Sequence, residues 1–455
     1  FADRKPKKPN KGHYCLFDYD MLAKKKVLII CYYWPPAGGS GVQRHLKFAK
    51  YLRHFGWEPI VYTVQNGEYP ETDKSLLHEI PTGLTIIKRP IWEPYTFYKL
   101  FTGRKRKEKI NPNFFSQKNQ GILHQIAIFL RSNFFIPDAR MWWIKPSVKY
   151  LKDYIQKHSI DAVISTGPPH SLHLIAKTLK EEYHIPWLAD FRDPWTNIDY
   201  FKKLSLLPFA EEKHKRLEKE VLQTADRVVT VSNTWAKELA EIGQRKVEVI
   251  TNGFDETDFP ATKPTLDEKF TIVHPGMFSR ARNHEVFWQA LSELKEEHPF
   301  FAKDLKVDFY GITDSSVVEL AKKYGIGNYV YLHDYLPHDK IVKVMSAAWL
   351  LLLSVHDSQN LQGFVPGKLF EYLASKRPIL CIGPENGDSA RIILETKSGL
   401  VSGFKDKDKL KIHIMVYYMD YVNGQKENKQ IDVSKYSRKE LTHRLANILN
   451  EMIDN

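Results

Sequence analysis

Short apolar runs alternate along this chain with stretches whose apolar residues recur every three or four positions. The first run, 27–31, leads through Pro35, Pro36 and the glycine turn 38–41 into a helical pattern of Val42, Leu46, Ala49 and Leu52. A run of five without a polar break predicts a strand buried on both faces, and the spacing after it predicts a helix. Further strand-like runs fall at 60–63, 85–88, 162–165, 187–190, 227–231 and 247–250. After a polar, proline-bearing stretch at 252–269 they resume at 271–274, 306–310, 329–333, 349–355, 378–382 and 399–402. Strands separated by helices imply parallel sheets covered on both faces. The expected architecture is α/β, with two doubly wound, Rossmann-like domains facing each other across a cleft. Such folds bind ligands there, at the carboxyl ends of their strands.

The boundaries follow from the same pattern. Residues 1–20 read as an N-terminal extension, expected to be disordered. A first domain spans 21–258 and a second spans 259–435. A C-terminal helix in 436–455 is expected to pack back on the first domain. Segment 92–143 breaks the alternation, because aromatics and lysine or arginine follow each other densely in it and 121–135 is amphipathic. Two readings fit this insertion. One is an interfacial element, with aromatics at headgroup depth and basic side chains on anionic lipid. The other is a helical hairpin packed on the first domain with a solvated basic loop.

Composition narrows the partners. The 455 residues are 43% hydrophobic and 27% charged, enough for a soluble protein with a large core. A formal charge of +13 points to nucleic acid, an anionic membrane or phosphorylated small molecules. No helix-turn-helix, RNA-recognition or zinc pattern accompanies it, so nucleic acid is not expected. No run approaches the roughly 20 apolar residues that cross a bilayer, and no apolar h-region follows the N-terminal lysines. The three cysteines are far apart and keep no metal spacing, as expected of buried free thiols in a reducing compartment. A cytoplasmic protein, peripheral on the inner face of the membrane, is the expected localisation.

Candidate chemistry lies after the strands. Gly39 and Gly41 fail the dinucleotide fingerprint, since its third glycine would fall at Arg44, and no Walker lysine follows. In 365–373 (VPGKLFEYL), Gly367 opens a helix and Lys368 falls in its first turn. A cation there opposes the helix dipole unless it serves an anion. Glu371 lies one turn on, where a carboxylate can accept ribose hydroxyls; a surface Glu–Lys pair is the alternative. Arg280 and Arg282 end the loop after the first strand of the second half, placed to clamp phosphate or simply to form an exposed basic turn. In 166–174 (TGPPHSLHL), His170 and His173 are three apart without zincin spacing. His170 suits a hydrogen-bonding role in the cleft, and His173 suits packing. In DFRDPW, Asp190 and Arg192 are expected to pair and Asp193 to cap a turn. Asp406 and Asp408 form a literal Asp-x-Asp, but the setting KDKDKL reads as solvated surface.

Taken together, PPAGGSGVQR, TGPPHS, DFRDPW, VSNTWAKEL, ITNGFD and VPGKLFEYLASKRPIL resemble a family 4 retaining glycosyltransferase of the GT-B fold. The resemblance covers about residues 25–450. It implies transfer of a sugar from a nucleoside diphosphate donor with retained configuration, no cofactor and no required metal. The acceptor would be a glycan or a lipid-linked glycan, in surface-polysaccharide synthesis. On that resemblance Glu371 holds the ribose, with Gly367 beside it, and Arg280, Arg282 and Lys368 face the phosphates. Gly39 and Ser40 approach the diphosphate, His170 meets the transferred sugar, and Asp190, Arg192 and Asp193 lie on the acceptor side. The chain departs from the family where a second glutamate is common, at Gly363, for which Gln362 or Asn360 would substitute. It departs again at Met277, often arginine, for which Arg280 would compensate. A sugar-nucleotide epimerase on the same fold is the nearer alternative. A nicotinamide oxidoreductase is the more distant one, and the failed glycine fingerprint counts against it.

Overall fold

The computed structural model describes residues 24–69, 72–93, 122–198, 201, 204–259, 265–358, 360–425 and 432–454. The extension 1–20 and the basic residues Arg104, Lys105, Arg106 and Lys107 lie outside them.

Seven strands form the first sheet: β1 Lys25–Ile30, β2 Trp57–Val64, β3 Thr85–Arg89, β4 Ala162–Gly167, β5 Trp187–Phe191, β6 Arg227–Thr230 and β7 Glu248–Val249. Their order is β3-β2-β1-β4-β5-β6-β7 and every pairing is parallel. Six form the second: β8 Phe270–Pro275, β9 Leu305–Tyr310, β10 Val330–His333, β11 Leu350–Ser354, β12 Ile379–Ile382 and β13 Gly399–Ser402. They are ordered β10-β9-β8-β11-β12-β13, again all parallel. All thirteen runs read from the pattern are strands. The alternation inside them is one of destination, not of polarity. Leu28 and Ile30 enter one core and Val27 and Ile29 the other. In β11, Leu350 and Leu352 part from Leu351 and Leu353 in the same way. Both faces are apolar because helices cover both.

Each sheet begins in its middle and winds outward both ways. Loops after neighbouring central strands, β1 and β4 in one sheet and β8 and β11 in the other, therefore diverge and leave a crevice.

The last helix, Arg438–Asp454, belongs to the first sheet's core, where Leu441, Leu445 and Leu449 pack with Val42, Leu46 and Ala49. The chain thus crosses between the sheets twice, and the two crossings are joined. Phe254 N–H donates to the Tyr436 carbonyl at 3.2 Å, and Arg438 N–H donates to the Phe254 carbonyl at 2.7 Å. Lys47 lies 2.8 Å from Asp255 and ties the first crossing to helix Ser40–Tyr51.

Of segment 92–143, the described residues, 92–93 and 122–143, include a helix at Ile122–Phe134 and a turn at Met141–Trp143. The helix is clasped by Asn133, which donates to the Ser205 carbonyl at 3.0 Å and accepts from Leu207 N–H at 2.6 Å. The helix exposes Ile126, Phe129, Leu130 and Phe134. Asp406 caps a helix by accepting from Lys409 N–H at 3.1 Å, and Asp408 is 85% exposed, so this pair is surface capping.

Candidate active site

Lys368 is the first residue of helix Lys368–Ser375, whose N-cap Gly367 offers no side chain to its free N–H groups. The Lys368 ammonium is turned back toward the loop after β8. It donates to the Pro275 carbonyl at 2.6 Å and lies 3.1 Å from His274 Nε2. The other His274 nitrogen, Nδ1, is 2.9 Å from the Leu352 carbonyl, which can only accept. His274 therefore carries its proton on Nδ1 and offers Nε2 as an acceptor to Lys368. Burial holds His274 neutral, well below its usual range, and Lys368 adds to that. Burial, with Arg282 as a second cation, lowers the Lys368 ammonium to about 7, against the opposing pull of Glu371. Two cations brought this close at a helix start create a strong local demand for an anion.

Arg282 ends the short turn Arg280–Arg282 and folds inward. Its Nη1 donates to the Met277 carbonyl at 3.3 Å, and its own carbonyl accepts from Ser354 Oγ at 2.5 Å. Arg280 does not join it. Its side chain is 68% exposed and engages Asp314 at 3.5 Å and Glu319 at 3.6 Å. The expected compensation for Met277 is therefore not made by Arg280. Two residues along a tight turn point to opposite sides, and acidic neighbours hold the outer one.

Glu371, one turn after Lys368, is half-buried. Burial raises its carboxyl despite the nearby cations His338, Lys368 and Arg438. His338 lies 3.6 Å from Asp258 of the crossing segment, so this carboxylate stands at the junction of the two domains.

The first domain contributes Gly39, with φ of +94°, and helix Ser40–Tyr51, which it opens without a side-chain cap. A Cβ at Gly41 would meet the Arg192 guanidinium at 2.0 Å, so glycine there makes room for Arg192. Arg192 also donates to the Pro168 carbonyl. Asp193 beside it is half-buried, and burial pushes its carboxyl up.

Asp190 is a correction. It does not pair with Arg192. It is buried in a bidentate bond to Arg44, at 2.9 and 3.0 Å, with His45 Nε2 also 3.0 Å away. Burial alone would raise this carboxyl, but Arg44 and His45 hold it well below the usual carboxylate range. Arg44 continues to the Thr251 carbonyl at 2.8 Å, which joins the strand ends to the crossing segment.

His170 precedes helix Ser171–Tyr183 and is 5% exposed. Neither of its ring nitrogens has a protein partner among the described residues. Burial, with His173, keeps it neutral. His173 is packed, stacked on Phe191 with its Nδ1 2.8 Å from Ser165 Oγ.

Two adjoining family models match the chain. The model of Glycosyltransferase Family 4 covers residues 106–258, and that of Glycosyl transferases group 1 covers 255–439. The chain is a family 4 glycosyltransferase. No curated protein matches it significantly in sequence. Solved structures share the whole fold at low identity. Anabaena HepE with UDP and glucose is 14% identical, with a TM-score of 0.52, over 94% of this chain and 97% of that one. WaaG, a glycosyltransferase involved in lipopolysaccharide biosynthesis, is 13% identical, with a TM-score of 0.54, over 93% and 99%. A Listeria monocytogenes protein assigned as a UDP-N-acetylglucosamine 2-epimerase is 13% identical, with a TM-score of 0.54, over 95% and 98%. At such identity these likenesses bear on the fold, which is GT-B.

In this glycosyltransferase the departure at Gly363 has a steric cause. A Cβ there would meet the Trp235 ring of the first domain at 2.3 Å. Of the two expected substitutes, Asn360 is engaged through its side chain, whereas Gln362 is held only through its backbone and its side chain is exposed. Asn360 Nδ2 donates to Asn197 Oδ1 across the cleft at 2.8 Å, and the Gln362 carbonyl accepts from Asp388 N–H at 2.7 Å. Asp388 Oδ2 in turn accepts from Thr234 N–H of the first domain at 2.8 Å. These cross-domain contacts were not visible in the sequence, nor was the role of Arg44. Arg44 lies in helix Ser40–Tyr51 just after the glycines, and only its distant partner Asp190 shows what it does.

Proposed function

We propose that this glycosyltransferase is retaining and metal-independent, and that it moves a sugar from a nucleoside diphosphate to a glycan or lipid-linked acceptor in surface-polysaccharide synthesis. One observation carries the reading: Lys368 and Arg282 converge at an uncapped helix start with Glu371 one turn away. Two cations and a helix N-terminus match a diphosphate, and a carboxylate beside them matches a ribose. Two cations and a helix N-terminus can neutralise the charge that develops on the departing diphosphate. In a same-face displacement the sugar–phosphate C–O bond breaks and the acceptor oxygen bonds to the same carbon. The acceptor proton passes to the freed phosphate oxygen, and His170 approaches the sugar. Gly39 and the backbone at Ser40 approach from the other domain. The HepE structure with UDP and glucose, and the place of WaaG in lipopolysaccharide biosynthesis, support these substrate classes.

A thermal-shift series with UDP, GDP and ADP in EDTA tests the donor site. A nucleotide at 100 times its Kd stabilises the fold by about 2.7 kcal/mol, so one of the three is expected to raise Tm clearly. Turnover of the matching nucleotide sugar should persist in EDTA. Loss of turnover in EDTA with recovery in Mn²⁺ or Mg²⁺ would overturn metal independence. The Listeria neighbour favours a second reading, sugar-nucleotide epimerisation. Conversion of the donor without any acceptor would select it.

We also propose attachment to the anionic cytoplasmic leaflet. No described helix is long and apolar enough to cross a membrane. Ile126, Leu130 and Phe134 recur every four residues, so they form one exposed stripe, which Phe129 widens. Phe209, half exposed, lies 6.0 Å from Phe134 on helix Pro208–Thr224, which also presents Lys213, Lys215 and Arg216. Phe135 is partly covered, edge-on to Trp142 at 4.8 Å. Lys215 and Arg216 are offset in part by Glu211 and Glu220, at 2.5 and 3.7 Å, and exposed apolar side chains beside such cations suit a lipid interface. Co-sedimentation should show binding to anionic but not neutral vesicles, weakened by salt and by Leu130→Ser with Phe134→Ser. Equal, negligible binding to both vesicles would sink this attachment.

A further inference from the structure

His170 lacks the device that usually orients a functional imidazole, a hydrogen bond to one ring nitrogen. Its two nitrogens are buried and have no protein partner among the described residues. Yet the ring is held. It lies parallel to the Trp195 indole, 4.6 Å between centroids and 5° between planes. Gly167 also presses close, where a Cβ would come within 2.7 Å of His170 Nδ1.

Trp195 is itself fixed at both ends. Its Nε1 donates to His214 Nδ1 at 3.0 Å, and its backbone N–H donates to Glu218 Oε1 at 3.1 Å. His214 and Glu218 are four apart on helix Pro208–Thr224, so both reach Trp195 from one face. Glu218 is fully buried and also takes the Thr196 hydroxyl. His214 is closed in edge-on by Phe201 at 5.2 Å. The buried face of this helix therefore fixes an indole, and the indole fixes the imidazole.

We infer that Trp195 is the positioning residue of His170, an inference resting on the proposed approach of His170 to the transferred sugar. A hydrogen bond for orientation would occupy one ring nitrogen. Stacking fixes the plane without engaging either nitrogen. The offset, near-parallel arrangement is a favoured one for aromatic rings. It fixes the plane of the ring, which decides where its N–H points. Gly167 belongs to the same seat, since any side chain there displaces the ring.

The test compares Trp195→Phe, Trp195→Leu and His170→Ala. UDP release from UDP-glucose or UDP-N-acetylglucosamine is the kinetic readout, and crystal structures of the two Trp195 variants are the structural one. Trp195→Leu is expected to lower kcat about 10- to 100-fold with donor KM nearly unchanged, as misplacement of a reacting group by an ångström does. Trp195→Phe keeps an aromatic face and should recover most of that loss. In the crystals the His170 plane should be kept in Trp195→Phe and lost in Trp195→Leu. A folded Trp195→Leu whose His170 ring keeps its plane overturns the inference whether or not either donor turns over. Wild-type kcat in Trp195→Leu beside a crippled His170→Ala overturns it while leaving the role of His170 intact. Wild-type kcat in His170→Ala removes that role and the inference with it.

Discussion

Lys368→Met should lower kcat/KM by about 10²- to 10³-fold, the range lost when one preorganised charge-stabilising donor is removed, while leaving the protein at least as stable. The ammonium reaches the strand ends through bonds to His274 and the Pro275 carbonyl, with Arg282 as a second cation near it. That arrangement is poor for folding and good for binding an anion. The sign of its pH dependence follows. The folded value of about 7 lies below the unfolded value of about 10.4. Between them the unfolded chain binds more protons, so stability rises with pH across this window and the burden of the buried charge is full below it. Removing the charge should therefore hold or raise Tm at pH 6. In the free enzyme the cation is lost as pH rises through about 7, so wild-type kcat/KM should fall above that point and the Lys368→Met profile should not. Arg282→Ala should behave like Lys368→Met in rate. Arg280→Ala should change kcat/KM by no more than about 2-fold, because its partners are exposed acids. Activity retained in both Lys368→Met and Arg282→Ala would remove the donor-site assignment.

The second large effect is expected on stability. Asp190→Asn should destabilise the protein by about 3–5 kcal/mol, the range for removing one partner of a buried ion pair. Arg44 would be left buried beside a neutral amide, and His45 would lose its carboxylate. Denaturation followed by circular dichroism reads this directly. The sign with pH is that of a depressed carboxyl. Its contribution is present above the unfolded value of about 3.9 and is lost as pH falls below that toward the folded value. Asp193→Asn, at a half-buried position outside the pair, should cost much less. A folded Asp190→Asn of wild-type Tm with abolished turnover would return Asp190 to a direct role at the acceptor.

The same residues show how far local pattern reaches. Lys368 was legible because a lysine in the first turn of a helix contradicts the helix dipole, and a contradiction of that kind asks for a ligand. Glu371 was legible from its spacing to Lys368. Asp190 was misread because its partner is 146 residues away, and nothing near it in the chain indicates Arg44. Arg280 and Arg282 are chemically alike and two residues apart. Which one enters the cleft depends on a tight turn held by Ser354 from another strand and on acids at 314 and 319.

The alternation of apolar runs and helical spacing by itself determined the thirteen strands, the two sheets and the break between them. Parallel strands buried on both faces have no polar side, so they stand out as unbroken runs, and each helix between them must carry its own apolar stripe. Tertiary structure alone decided what crosses the cleft. The Asn360–Asn197 bond, Gly363 against Trp235, the capping of Thr234 by Asp388 and the seating of the last helix on the first sheet join residues remote in sequence. Such contacts depend on how two rigid sheets are set against each other. Hydrophobic periodicity reports which way a residue faces within its own element and carries no information about what that face meets.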